Sequence, residues 1–75
     1  MTTLTLEPIN SRICRVLDAQ GRHVGQLKHI GGLWKFKAIG YDESGACIPG
    51  GGPLTDRHNA VFEHLDPQEI GRALG

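Results

Sequence analysis

Three consecutive glycines, Gly50-Gly51-Gly52, stand between Pro49 and Pro53. Regular structure does not run through such a stretch. Proline fixes φ and lacks an N–H, and glycine makes helical or extended backbone entropically costly. The stretch therefore separates two kinds of structure. Before it lie short strand-like segments broken by turns. After it come a compact polar run, Thr55-Asp56-Arg57-His58-Asn59, and a short segment with helix signals. Two uses fit the glycines. Their bare backbone N–H groups suit the approach of an anion. Equally, they suit a tight crossover locked by Thr, Asp and Asn side chains bonding local backbone. The run lacks the Gly-Lys-Ser/Thr ending of a phosphate loop and does not lead directly into a helix.

The turns upstream organise the rest. Asp18-Ala19-Gln20-Gly21 and Asp42-Glu43-Ser44-Gly45 each read as a type I turn closed by a left-handed glycine. Gly31-Gly32 between Ile30 and Leu33 suits a two-residue hairpin loop. These signals predict a meander with strands at 12–17, 22–30, 33–41 and 46–49. A two-residue loop at Gly31-Gly32 sets Ile30 opposite Leu33, Lys28 opposite Lys35, Leu27 opposite Phe36 and Gly25 opposite Ala38. One face then carries Leu27, Trp34, Phe36 and Ala38, joined by Ile13, Leu17 and Ile48. Arg15, His23 and His29 share that face. The other face carries Gln26, Lys28, Lys35 and Lys37 toward one end. Cys14, Val16, Val24, Ile39, Tyr41 and Cys47 lie toward the other.

Asp66-Pro67-Gln68-Glu69 is an N-cap, a proline at the first helical position and an acid three residues after the cap. Leu65 and Ile70 are placed for a hydrophobic staple, so a helix is expected at 67–74. Residues 54–64 fit either a helix capped by Thr55 or Asp56, or a short fifth strand at Ala60-Val61-Phe62, and the strand is preferred. Residues 1–11, rich in threonine and holding Pro8, read as a loosely held arm whose Leu4, Leu6 and Ile9 are free to dock. The expected fold is α+β: an antiparallel meander of four to five strands with one short C-terminal helix on its apolar face, in a single domain spanning 12–75.

Composition narrows the function. The chain has 75 residues, with eight Lys plus Arg against eight Asp plus Glu. A zero formal charge gives no general attraction to nucleic acid or membrane, although a local patch still counts. A chain this short buries only about 60% of its unfolded surface, so a homodimer is a natural way to add burial. No apolar run approaches the roughly 20 residues of a membrane span. The N-terminus lacks a signal-peptide pattern. With two cysteines in no metal-type pair, the expected setting is a reduced cytoplasm.

Lys28, Lys35 and Lys37 form a basic cluster, and like charges opposed across strands are unfavourable. This points to an anionic partner: a protein surface, a small anionic ligand or nucleic acid, with Tyr41 offering a stacking surface. A plain solvated face explains the lysines as well. His23 and His29 stand six residues apart, about 20 Å along a strand, and no His/Cys spacing suits a metal. No cofactor is implied. Asp56, His58 and Thr55 hold the residue types of a nucleophilic site, but neighbours on one loop rarely converge.

The candidate ligand-binding residues are therefore Lys28, Lys35, Lys37, Tyr41, Gly50, Gly51, Gly52, Thr55, Asp56, Arg57, His58 and Asn59. The leading expectation is a small non-enzymatic binding or adaptor module contacting a protein or anionic ligand through the basic face and the glycine loop. The alternatives are nucleic-acid binding through the lysines and a small enzyme or enzyme subunit using Asp56 and His58.

The stretch Gly32-Leu33-Trp34-Lys35-Phe36-Lys37-Ala38-Ile39-Gly40-Tyr41-Asp42, with Ile48 to Thr55 and His58-Asn59, resembles a set of short uncharacterised bacterial proteins. That resemblance covers residues 12–75 and implies a small bacterial α+β domain, with no stated chemistry. Asp18-x-x-Gly21 followed by Val24-Gly25 is similar to the opening hairpin of PRC-barrel domains, which implies a binding role.

Overall fold

The computed structural model describes residues 4–74. Six strands and one helix follow in chain order: β1 (Thr5–Pro8), β2 (Ile13–Leu17), β3 (His23–Ile30), β4 (Leu33–Tyr41), β5 (Cys47–Pro49), β6 (Val61–Phe62) and α1 (Pro67–Leu74). A single 3-10 turn, Thr55–Arg57, lies between β5 and β6. The strands are antiparallel in the order β1-β2-β3-β4-β5, and β6 pairs with β4 beside β5. The α+β meander with one C-terminal helix is the architecture the turn signals predict.

Both Asp-to-Gly turns form. Asp18 Oδ1 accepts the Gln20 and Arg22 amides, and Asp42 Oδ1 accepts those of Ser44 and Ala46. These donors hold both carboxyls below the usual aspartate range. The Arg22 backbone acts most on Asp18, and the Ser44 side chain acts most on Asp42. The β3–β4 register is the expected one, with Ile30 opposite Leu33 and Lys28 opposite Lys35. At α1, Asp66 Oδ1 accepts the Gln68 amide, and Ile70 and Leu74 are buried.

Three expectations are corrected. Residues 5–8, assigned to a loose arm, form β1 and pair with β2 from Thr5 opposite Leu17 to Pro8 opposite Cys14. Leu6 packs on the core. The first three residues of that arm, and Gly75, lie outside the described residues.

The second correction concerns the β2–β3 hairpin. Leu17 faces His23, but Val16 faces Gly25, so Val24 is an extra residue in β3. This bulge shifts the pairing by one and exchanges the faces of β2. Cys14 and Val16 join Leu27, Phe36 and Ala38 in the core, and Val24 is buried with them. Ile13, Arg15 and Leu17 turn to the opposite face, and His23 joins Tyr41 there, their side chains 3.1 Å apart. Cys14 is buried and Cys47 exposed, both as free thiols. Burial is the main influence raising the Cys14 pKa. The third correction is Ile48, expected in the core and exposed here.

Ile70 and Leu74 of α1 close the core on one side of the sheet together with Phe62. The other side is open. Two of the outer strands, β1 and β5, are blunted by proline. Ile9 donates to the Ile13 carbonyl, and Gly50 donates to the Ala38 carbonyl. By alternation, the ring nitrogens of Pro8 and Pro49 then fall on the outward edges, where each removes a donor.

Candidate functional site

Every second residue of β4 turns its N–H and C=O away from β3. That edge is satisfied by three different devices in turn. Near Tyr41, β5 supplies the ladder, and the Gly50 amide extends it to the Ala38 carbonyl at 2.7 Å. Near Trp34, β6 supplies it, preceded by Ala60 and Asn59, which bond Phe36 on both its N–H and its C=O. Between the two, the Ala38 N–H has no backbone partner. The His58 ring fills the place: its Nδ1 accepts the Ala38 N–H at 3.1 Å. The tautomer with the proton on Nε2 follows from that bond.

The polar run after the glycines is thus largely committed to the crossover. Thr55 Oγ1 donates to the Gly50 carbonyl at 2.6 Å. Asn59 adopts a left-handed φ of 74°, which lets its amide reach the Phe36 carbonyl, and its Oδ1 accepts from Lys37 Nζ at 2.7 Å. Gly51 and Gly52 press against Ile48 and the Ile39–Gly40 backbone, while Gly50 lies under the His58 ring. His58→Ala should cost about 1–2 kcal/mol by orphaning a half-buried amide. It should also speed hydrogen exchange at Ala38. Unchanged exchange there would show that the ring is not the acceptor.

Asp56 and Arg57 point elsewhere. They line a cleft of about 390 Å³ with Leu4, Asp18, Val24, Leu54 and Leu74. Its floor is the core side of the sheet, so this pair does not join the lysines.

Lys28, Lys35 and Lys37 stand on the open face as expected. Lys28 is directly opposite Lys35, and Lys37 is opposite Gln26. Arg15, opposite Gln26 on the other side, extends the belt and is paired to Glu7 at 2.8 Å. Sequence reasoning missed Arg15, Ile13 and Val61 on this face because the Val24 bulge and the partner of β6 leave no local signal. Among the described residues neither Lys28 nor Lys35 forms an ion pair. Tyr41 shares the face at its far end. There its hydroxyl lies 3.1 Å from His23 Nδ1.

His23 Nε2 is buried with no hydrogen-bond partner among the described residues. Burial is the largest influence and holds the imidazole below the usual histidine range. The Arg15 charge acts the same way, against the Gly25 backbone and Glu7. A depressed folded pKa means that the unfolded chain takes up the proton first. The contribution of neutral His23 is complete above about pH 6.5 and is lost as pH falls below it. Urea midpoints should therefore decline between pH 7.5 and 5 more steeply in the wild type than in His23→Gln. Equal slopes would remove the assignment.

Among the described residues no three His, Cys, Asp or Glu gather to hold a metal ion. None of their helices is long and apolar enough to cross a membrane. No family model, curated protein or solved structure matches the chain.

Proposed function

We propose that the chain is a small non-enzymatic binding module of the cytoplasm whose open, lysine-bearing sheet face takes an anionic partner. The observation that carries this reading is the opposition of Lys28 and Lys35 across β3 and β4, with no acid among the described residues paired to either. Two like charges held face to face cost stability, and an anion seated between them returns it. Lys37 widens the positive belt, while the charge of Arg15 is matched by Glu7. The engagement of His58 Nδ1 by the Ala38 amide supports a non-enzymatic reading, because that nitrogen is taken. The PRC-barrel likeness of Val16 to Gly25 points the same way. The glycine loop enters this reading as the support of β5 and β6, with Asn59 holding Lys37 in place.

The test is a titration of the isotope-labelled chain with short polyglutamate, followed by amide NMR. Shifts should centre on β3 and β4 around Lys28 and Lys35 and should shrink as salt rises. Lys28→Glu with Lys35→Glu should weaken binding about tenfold, the loss of two surface ion pairs at about 0.7 kcal/mol each. Shifts confined to residues 50–57, or affinity untouched by the charge reversal, would remove the proposal.

A further inference from the structure

We infer that the anionic partner is a protein segment with an apolar ridge bordered by carboxylates, seated on the end of the open face that carries the Gly31-Gly32 loop. This rests on the reading of that face as a binding surface and adds the partner's class. Four large apolar side chains are exposed there: Ile9 at 56%, Ile30 at 55%, Leu33 at 40% and Val61 at 52%. Ile30 and Leu33 face each other where β3 meets β4. Val61 faces Lys35, and Ile13 faces Lys28, so Ile13, Lys28, Lys35 and Val61 stand in one row across four strands. Ile9 adjoins this row through the hydrogen bond its backbone N–H donates to the Ile13 carbonyl.

Dimensions and charge together select the occupant. The row spans three strand spacings, about 14 Å, and the next row, Ile30 with Leu33, lies about 7 Å further along. A helix with its side chains is about 10–12 Å across. Anything that covers the apolar residues comes close to the Lys28 and Lys35 ammonium groups, and anionic groups bordering an apolar ridge, carboxylates in a protein segment, compensate them. The lysine stems can lie along the apolar surface while their ammonium groups reach the rim. A second copy of this chain, docked symmetrically by the same patch, would bring lysines against lysines. Nucleic acid would gain from aromatic surfaces, and the Tyr41 ring lies at the opposite end beside His23.

The experiment uses the full chain and four probes. The first is an 18-residue amphipathic peptide with leucines at helical spacing flanked by glutamates. The second is a scrambled peptide of the same composition. The third is a twelve-nucleotide oligodeoxythymidine, and the fourth is vesicles of phosphatidylserine with phosphatidylcholine. The amphipathic peptide should bind at least tenfold tighter than the scrambled one and shift the Ile30, Leu33 and Val61 amides. Leu33→Ser with Val61→Ser should abolish that tenfold margin and leave scrambled-peptide binding unchanged. If this variant fails to fold, Ile30→Ser replaces it. Lys28→Glu with Lys35→Glu should weaken both peptides. Equal affinity for the two peptides, or tighter binding to oligonucleotide or vesicles, overturns this inference while lysine sensitivity keeps the wider reading. Indifference of every probe to the lysine reversal overturns both.

Discussion

Gly52→Ala is expected to remove a large share of the domain's stability. Gly52 sits at φ 84°, and a Cβ there would run into the Ile39 carbonyl oxygen and stand 2.9 Å from Gly40 Cα. Left-handed strain costs roughly 1–2 kcal/mol and overpacking about 1–3 more. The backbone obstacles cannot rotate away, so a total near 3–4 kcal/mol is expected. Stability for a chain of this length is about 4–11 kcal/mol on the usual per-residue scale. Gly50→Ala is the control. Its φ is 80°, but the atoms nearest the added Cβ belong to the His58 ring, no closer than 3.5 Å. It should lose the strain alone, about 1–2 kcal/mol. Urea unfolding of the two variants separates them. Equal midpoints would mean that the packing of the glycine loop on β4 contributes nothing.

Gly25→Ala is the second large effect. The ring of Phe36, fully buried, lies across β3 where a Cβ on Gly25 would stand, and the Lys37 carbonyl oxygen is 2.9 Å from the same point. The core cannot admit the methyl without displacing its largest side chain, at about 3 kcal/mol. Phe36→Leu alone should also destabilise, by about 1–1.5 kcal/mol, since it leaves a partial void. The two changes together should cost at least about 1 kcal/mol less than their sum, because the smaller side chain yields the space the methyl needs. Strict additivity in the double-mutant cycle would show that ring and glycine are not in conflict.

Much of the fold was legible because its signals are local. The Gly31-Gly32 loop fixes the β3–β4 register outright, and Asp66-Pro67 fixes the start of α1. The first hairpin was not legible. Its turn reads correctly from Asp18 and Gly21, but the bulge at Val24 lies beyond the turn and has no composition of its own. One uncounted residue exchanged Cys14 and Val16 for Ile13 and Leu17. β1 was hidden for another reason: Thr5 to Pro8 ends in a proline and reaches its partner, β2, through an Asn10 turn whose Oδ1 gathers the Arg12 and Ile13 amides. At the candidate site, the lysine belt follows from the β3–β4 register alone. Its apolar neighbours Ile13 and Val61 depend on pairings that only the folded chain reveals. The part played by His58 depends on a gap between two strands, and no spacing in the sequence announces a gap.

Pro8 and Pro49 set a limit on how this sheet can grow. β1 and β5 each lack a donor at the position where an added strand would dock, which makes those margins poor templates for another chain. A surface crowded with isoleucine and valine would ordinarily be a hazard at high concentration, because sticky faces bring sheets together and open margins then knit them into fibrils. Here the second step is obstructed along β1 and β5, and β6 is only two residues long. The prolines thus lower the tendency of a greasy, charged face to draw its neighbours into a polymer along those two strands.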